Sequence, residues 1–241
     1  MTVFTSKEKD FRELNENIRG ANGAIQIDGC CGQRFIGTAM PLGKHLTING
    51  TPGNAMGAYL DGGTIEVFGN AQDAVGDTMN DGNIIIHGNA GDALGYAMRG
   101  GKIFVRGNAG YRAGVHMKAY KDLKPAVIIG GGAGSFLGEY LAGGLIVVLG
   151  LGISDAMPVG NFTGTGMHGG EIFIRTDKEP QGLAPQVDVS VATAEDMQRA
   201  SSYIEEFAKL FSMDAAEILN GKFFVLKPSA KNPYKKMYTA N

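Results

Sequence analysis

Residues Ile65–Gly82 read IEVFGNAQDAVGDTMNDG, and residues 84–101 repeat the pattern as IIIHGNAGDALGYAMRGG. Most of a third copy begins at Ile103, as IFVRGNAGYRAGVHM. A fixed period of this length indicates a stacked repeat, in which each copy buries its apolar face against its neighbours. Glycines mark the period at intervals of 19 residues, in the columns Gly50, Gly69, Gly88, Gly107 and Gly57, Gly76, Gly95, Gly114.

Each copy opens with two apolar residues separated by one residue, the alternation expected of a strand with one buried face. An antiparallel barrel would need hairpin-joined strand pairs rather than one identical bend per strand. The pattern therefore predicts an all-β fold, a single-stranded parallel β-helix of about eight rungs. The inner pairs are Ile25/Ile27, Leu46/Ile48, Ile65/Val67, Ile84/Ile86, Ile103/Val105, Val127/Ile129, Ile146/Val148 and Ile172/Ile174. A second apolar column holds Met40, Leu60, Met79, Met98, Met117, Leu141 and Met167.

We assign the glycines to the bends between strands, which need positive φ or space that a Cβ would fill. Asn70, Asn89 and Asn108 occupy one column directly after a bend glycine. Asparagine tolerates left-handed φ, and its side chain can hydrogen-bond along a stack. Cys30 and Cys31 fall in the same kind of small-residue bend, so we interpret them as packing residues in preference to a redox pair.

The period divides the chain into an N-terminal helical lead-in (1–22), the glycine-repeat β-helix (23–175) and a C-terminal connection with helices and a tail (176–241). Ser6 is expected to cap the first helix, and Phe11, Leu14 and Ile18 form its apolar face. Thr193 is expected to cap a second helix with an apolar stripe. We interpret that helix as a C-terminal cap, which covers the open end of the β-helix and protects its strand edges.

The remaining C-terminal segments have weaker patterns. Residues 176–190 contain two prolines and are predicted to be an irregular connection. A short helix is predicted at 214–220, followed by the strand FFVLKP (223–228) and the basic tail KNPYKKMY (231–238).

Two insertions interrupt the period. KAYKDLKP (118–125) replaces the usual closing bend after Met117, and LGISDAMPVGNFTGTG (151–166) lengthens the last copy. Insertions in a solenoid project as loops and often form its contact surface. These two loops are therefore candidate contact regions.

Composition excludes several classes of protein. The 241 residues carry a net charge of −2, with a pI near 6.1 and a mean hydropathy of −0.05. This balance gives no electrostatic reason to expect nucleic acid or an anionic membrane as partner. The apolar runs are too short to span a membrane, and the charged N-terminus lacks the apolar core of a secretory signal. We expect a cytoplasmic protein.

No catalytic, cofactor-binding or metal-binding residues are predicted in this chain. His45, His87, His116 and His168 lack the spacing of a metal site. The run VIIGGGAGSFLG (127–138) resembles a dinucleotide loop. However, its glycines fall largely in repeat register, and no amphipathic helix follows it. The sequence therefore favours a scaffold over an enzyme.

With the repeat written out, the chain resembles the glycine-rich third domain of glutamate synthase, in its stand-alone form. GCCGQRF (29–35) is similar to the family's G-x-x-G-Q-x-F turn, and GNAGYRAGV (107–115) contains its AG-x-R motif. GAGSFLGEYLAGGLIVVLG (132–150) is similar to its E-Y-x-x-G-G stretch, and FFVLKPSAKNPYKK (223–236) resembles its ending. The chain departs from the family by one residue inserted near Ile36 and by the insertion at 118–125.

The resemblance implies a right-handed β-helix that carries no catalytic residue. In the large synthase this domain packs between a glutamine amidotransferase domain and an FMN/iron–sulfur synthase domain. The expected partners are therefore glutaminase-type and FMN-barrel synthase polypeptides, with FMN and iron–sulfur clusters in those chains. Residue 2 is Thr and there is no cysteine cluster, so glutaminase and electron-transfer chemistry are expected outside this chain.

The contact candidates come from the family motifs and from the first insertion. They are Gln33, Arg112, Glu139, Tyr140, Lys118, Tyr120 and Lys121. The repeat also resembles the glycine-repeat scaffold polypeptide of formylmethanofuran dehydrogenase, a molybdenum or tungsten enzyme. A free-standing small-ligand binding module is a third alternative, and a homo-oligomer is compatible with each of them.

Overall fold

The computed structural model describes residues 1–7 and 9–229. In this part of the chain the strands are β1 (Thr2–Thr5), β2 (Ala24–Cys31), β3 (His45–Thr51), β4 (Asp61–Phe68), β5 (Asp81–Ile86), β6 (Lys102–Val105), β7 (Ala126–Ile129), β8 (Ala142–Val148), β9 (Gly169–Arg175), β10 (Val187–Val191) and β11 (Phe223–Pro228). The helices are α1 (Phe11–Gly20), α2 (Ala194–Leu210) and α3 (Ala215–Leu219). No helix in the described residues is long and apolar enough to cross a membrane.

The strands form one sheet in the order β1-β2-β3-β4-β5-β6-β7-β8-β9-β11-β10. From β1 to β9 each strand pairs in parallel with the next, so that Ile65 lies beside Ile84 and Ile84 beside Ile103. Every residue of the eight predicted inner pairs is at most 1% exposed. The predicted parallel β-solenoid is therefore confirmed, with about seven turns connecting the eight strands β2 to β9.

Seven left-handed bends connect strands β2 to β9, and each contains three alternate residues with positive φ. In the bend at 93–98, the N–H groups of Ala93 and Ala97 donate to the following turn, and that of Gly95 donates to the preceding turn. The middle position is glycine in all seven bends. At Gly76, a Cβ would lie 2.5 Å from Ile103 Cδ1, so the position needs glycine for space as well as for φ.

The asparagine column forms the predicted ladder along the stack. The Oδ1 atoms of Asn70 and Asn89 each accept the backbone N–H of the next asparagine at 2.8 Å. Asn108 Oδ1 accepts the N–H of Gly132 at 2.7 Å. These bonds continue the backbone pairing through the bend, which confirms a structural use for the column.

The N-terminal end of the solenoid is closed by β1 and α1. Strand β1 pairs with β2, although the sequence analysis assigned no strand to residues 2–5. Asp10 caps α1, so the prediction that Ser6 is the cap is wrong: the Ser6 hydroxyl instead donates to the carbonyl groups of Asp28 and Gly29. Asn15 Oδ1 accepts the N–H of Gly37 at 3.1 Å, in place of the carbonyl that a preceding turn would supply.

The C-terminal end is closed by strands, and the interpretation of α2 as a cover over that end is wrong. Strand β11 pairs antiparallel with β9, and β10 pairs with β11, so part of the predicted irregular connection 176–190 is a strand. Helix α2 lies across the outer face of the sheet, with Ile204 and Phe207 in a second core. The tail KNPYKKMY lies outside the described residues.

The outer face explains the position of α2. Early in the solenoid its residues are polar: Gln26, Thr47 and Glu66. From β5 onward the equivalent column is apolar and buried beneath α2, and it comprises Ile85, Phe104, Ile128, Val147 and Phe173. A helix placed over the end would leave this apolar column in water, which costs about 25 cal/mol per Å² exposed.

Four charged side chains fasten α2 to the sheet. Arg199 binds both oxygens of Glu171 on β9, at 2.8 and 2.9 Å, and also contacts Asp196. Lys227 Nζ on β11 lies 2.6 Å from Asp196 Oδ1. The hydrogen bond from Lys227, together with those from Thr193, holds the pKa of Asp196 well below its usual range although burial opposes the shift.

The Asp196 cluster makes stability depend on acid pH. Because the folded pKa lies below the unfolded value of about 3.9, the carboxylate stabilises the fold above that value and loses its contribution as pH falls towards the folded pKa. We expect Asp196→Asn to lower the free energy of unfolding by about 1–3 kcal/mol at pH 7. The difference in unfolding free energy between the wild type and Asp196→Asn should shrink between roughly pH 5 and pH 3, the window set by the unfolded pKa. Urea unfolding measures this difference, and the exposed Asp188→Asn variant is the control. A deficit that does not change with pH would contradict this role.

Substitutions of Ile86, whose side chain is fully buried, test whether the predicted inner residues of the strands face the core. Ile86→Ala should lower the free energy of unfolding by about 2–5 kcal/mol through the cavity it leaves. Ile86→Asp should prevent folding, because it buries an unpaired charge. Thr47→Asp, on the part of the outer face that α2 leaves uncovered, should change stability by only about 0.5 kcal/mol. Wild-type stability of both Ile86 variants in urea titrations would show that the inner register is wrong.

Candidate contact surface

The seven predicted contact residues fall in three places. Gln33 lies in the first turn, next to the N-terminal end. Arg112, Glu139 and Tyr140 lie on two successive left-handed bends. Lys118, Tyr120 and Lys121 lie in the first insertion.

Arg112 begins a stack of planar groups that runs along the bends. Its guanidinium carbon lies 5.0 Å from the ring centre of Phe136, and Phe136 stacks on Phe162 with ring centres 4.9 Å apart. Arg112 Nε also lies 3.8 Å from Glu139 Oε2. All three stacked residues have positive φ and occupy the same position in successive bends. The stack is therefore a direct product of the repeat.

A second stack occupies the other positive-φ column of the same bends. Tyr140 stacks on His116 with ring centres 5.1 Å apart and planes at 8°, and His116 meets Tyr96 edge-on at 5.7 Å. We call the two stacks together the stacked surface; it comprises Arg112, Phe136, Phe162, Tyr96, His116 and Tyr140. Sequence reasoning missed Phe136, Phe162, His116 and Tyr96, although all but Tyr96 share the bend columns of Arg112 and Tyr140.

The stacked surface has the composition of a protein contact site. The side chain of Arg112 is 58% exposed, Phe162 is 54% exposed and Tyr140 is 41% exposed. Aromatic residues and arginine are enriched in protein interfaces and among the residues that dominate binding energy. Within the described residues, no group of three or more His, Cys, Asp or Glu side chains is arranged to hold a metal ion.

Comparison with known proteins now adds to this geometry. A model of the family described as the GXGXG motif matches residues 5–228. The chain belongs to the GXGXG motif family. This is the family of the C-terminal domain of the glutamate synthase large subunit, so the resemblance inferred from the motifs is confirmed. A protein described as uncharacterized, MJ1350 of Methanocaldococcus jannaschii, is 43% identical over 251 residues, covering 98% of this chain and 96% of that protein.

Gln33 of the GXGXG chain has a structural role in closing the N-terminal end. Its Oε1 accepts the backbone N–H of Cys31 at 2.7 Å, and its Nε2 donates to the carbonyl of Ser6 at 3.4 Å. Cys30 Sγ also donates to Oε1 at 3.4 Å. These bonds tie the segment after β1 to β2, which explains a glutamine at this position without a partner protein.

The first insertion forms a small closed loop beside α2. Tyr120 and Leu123 exchange backbone hydrogen bonds of 3.1 and 3.0 Å, and Lys121 Nζ lies 5.2 Å from the ring centre of Tyr120. Lys124 of the loop and Tyr203 of α2 line a cavity of about 440 Å³ between the loop and the helix. The loop therefore lies on the α2 side of the solenoid. The contact between the Lys121 ammonium and the Tyr120 ring is made between two residues of the loop.

The second insertion is shorter than the sequence indicated. Val159 pairs with Ala133 of the preceding turn, and residues 162–167 form a regular left-handed bend. The insertion is therefore confined to 151–157, where Lys178 Nζ binds the carbonyl of Asp155 at 3.0 Å. Phe162 thus belongs to the repeat and not to a loop.

The two cysteines of the GXGXG chain differ sharply in accessibility. Cys30 is buried and Cys31 is exposed, and both are free thiols. Burial raises the pKa of the Cys30 thiol to about 11. Because the thiolate is the reactive form, we expect Ellman's reagent at mildly alkaline pH to label one thiol per native chain and a second only after unfolding. Cys31→Ser should abolish native labelling and Cys30→Ala should preserve it; rapid labelling of two thiols would contradict the packing of Cys30.

Proposed function

We propose that this GXGXG chain is a non-catalytic structural subunit of a glutamate-synthase-like complex, packed between a glutaminase-type polypeptide and an FMN-barrel synthase polypeptide. FMN and iron–sulfur clusters belong to those partner chains in this proposal. The observation that carries it is the family match over residues 5–228, in a chain that exposes an aromatic and arginine surface along its bends.

The architecture suits a subunit that holds two other proteins at a fixed separation. Eight parallel strands spaced by about 4.8 Å give a rod of roughly 34 Å between β2 and β9. Backbone hydrogen bonds join every turn to the next through both the strand and the left-handed bend. A rod that is hydrogen-bonded along two sides resists bending. Two proteins bound at different positions along its axis would therefore stay at a fixed separation.

Arg112 is suited to bind a partner. Its guanidinium rests on Phe136 and has an incomplete ion pair with Glu139, at 3.8 Å. A guanidinium that lies over an aromatic ring can still bind a carboxylate through two parallel hydrogen bonds. This geometry supports a contact that combines stacking with a charged pair.

The proposal is tested by affinity capture from the native cell. The tagged wild-type chain should recover a glutaminase-type polypeptide and an FMN-barrel polypeptide, identified by mass spectrometry. Arg112→Ala combined with Tyr140→Ala should reduce recovery at least tenfold, which is roughly the effect of losing a dominant interface residue. Alanine already occupies both columns with positive φ at Ala93 and Ala97, so the backbone accepts the change.

Tyr59→Ala is the matched control, because Tyr59 is an exposed aromatic in the Tyr140 column near the other end of the rod. It should recover both partners at the wild-type level. Recovery of molybdopterin-enzyme subunits alone would replace the proposal by a formylmethanofuran dehydrogenase-like scaffold. Recovery of neither set of chains would contradict a structural subunit of either complex.

A further inference from the structure

Strand β10 is the last strand of the sheet and has one open edge. It pairs with β11, and no described strand lies on its other side. At one end of this antiparallel pair, the Ala192 N–H donates to the Phe223 carbonyl at 2.9 Å. At the other end, the Ser229 N–H donates to the Gln186 carbonyl at 2.8 Å. Because bonded residues alternate along an antiparallel pair, the even-numbered residues of β10 bond to β11 and the odd-numbered residues turn their backbone groups to the open edge.

The odd-numbered residues of β10 are Val187, Val189 and Val191. The N–H of Val187 is used within the chain, since it donates to the Ala184 carbonyl at 2.9 Å. The N–H groups of Val189 and Val191 have no acceptor among the described residues, and the carbonyl groups of Val187 and Val189 have no donor there. A row of unpaired donors and acceptors of this kind is a template for a further strand.

The usual protections of an edge strand are missing from β10. Natural edges carry lysine, proline or a bulge that prevents pairing with another chain. Strand β10 has no lysine and no proline, and its register with β11 runs without a shift. Val191 is 53% exposed, so an apolar side chain also lies at this edge. The strand is held in place from below, because a Cβ on Gly164 of the last left-handed bend would lie only 3.2 Å from Val187 Cγ2.

The sequence of β10 favours a second copy of the same strand as the occupant of the edge. It is VDVSV, which reads almost the same in both directions. Antiparallel pairing about a two-fold axis at Val189 places Val187 opposite Val191 of the second copy, and Asp188 opposite Ser190. Valine pairs and an acid facing a hydroxyl are compatible neighbours across strands, whereas an axis at Asp188 would set two carboxylates against each other.

The open backbone groups match in the same register. The Val189 N–H of each copy reaches the Val189 carbonyl of the other, and the Val191 N–H reaches the Val187 carbonyl. The Val187 N–H keeps its bond to Ala184, so no bond of the folded chain is broken. Each donor that lacks an acceptor in the single chain thus gains one.

We propose that two copies of this chain associate through β10, as a two-fold dimer in which the sheet continues from one solenoid into the other. The two-fold arrangement uses the same strand on both copies and closes on itself, whereas pairing of β10 with β1 of another copy would build an open filament. The dimer goes beyond the proposed function and does not depend on it, because the pairing uses no residue of the stacked surface.

Sedimentation of the purified full chain tests the dimer. Two paired five-residue strands bury less than the roughly 1,600 Å² of a standard interface, so we expect a concentration-dependent mixture of monomer and dimer. Val189→Pro removes an N–H that points to the open edge, at an edge position where proline is tolerated. It should keep the wild-type melting temperature and weaken dimerisation at least tenfold, roughly the effect of losing two hydrogen bonds. Val3→Pro, on the edge strand β1 at the other end of the sheet, is the control and should dimerise as the wild type does.

The register is tested at Ser190, whose side chain is exposed. Ser190→Lys places an ammonium group opposite Asp188 of the second copy and should tighten the dimer several-fold. Ser190→Asp places a second carboxylate there and should weaken it by a similar factor. Added salt should bring the two variants closer together, because it screens both interactions. Equal dimerisation of the two variants at low salt would overturn the register and the proposal with it.

Amide hydrogen exchange identifies the strand that pairs. The N–H groups of Val189 and Val191 should exchange at least roughly tenfold more slowly in concentrated than in dilute protein. The N–H of Ser190 bonds to β11 in both states and should change much less. Equal exchange of Val189 and Val191 at the two concentrations would overturn the proposal.

The remaining outcomes separate the dimer from other occupants and from the proposed function. A chain that stays monomeric at every concentration, or a dimer that Val189→Pro leaves intact, would overturn the dimer and leave the proposed function standing. Filaments that Val3→Pro abolishes would show pairing of β10 with β1, which also overturns it. A monomeric wild type that captures partner chains, and loses them in Val189→Pro, would show that the edge takes a strand of another protein.

Discussion

Backbone hydrogen bonding between successive turns at the left-handed bends is the constraint on which this structure depends. In the bends inside the solenoid, the first and third positive-φ residues donate their N–H groups to the following copy, and the middle one donates to the preceding copy. Side chains at positive φ cost of order 1 kcal/mol or more each, and the bonds to both neighbours offset that cost. The middle residue has no such freedom, because the inner Ile or Val of the next turn leaves no room for a Cβ. This packing explains why glycines recur every 19 residues in the sequence.

A ladder that bonds every turn to two neighbours leaves unpaired groups at each end. These groups are paired differently at the two ends. At the N-terminal end Asn15 supplies the acceptor that a missing carbonyl would provide, and at the C-terminal end β11 pairs antiparallel with β9. Neither continues the repeat, so neither shares its sequence signature.

The same geometry turns residues that are distant in sequence into one surface. Arg112, Phe136 and Phe162 are separated by whole turns, yet they stack because identical bends lie directly above one another. Such a surface needs no loop of its own and moves only if the rod moves. A rigid array of rings and charges suits recognition of another protein, which agrees with a family whose known domain works inside a larger synthase.

The sequence by itself determined the repeat, the inner face of each strand, the second apolar column, the asparagine ladder and the terminal strand FFVLKP. These features depend on contacts between equivalent residues of adjacent copies, and a period records such contacts directly. Only the tertiary structure decided that α2 covers the side of the sheet, that β1 and β10 are strands, and that Asp10 caps α1. Those segments occur once, so their partners are fixed by long-range packing. Ile85, Phe104 and Ile128 are apolar in the sequence, but only the tertiary structure showed that α2 covers them.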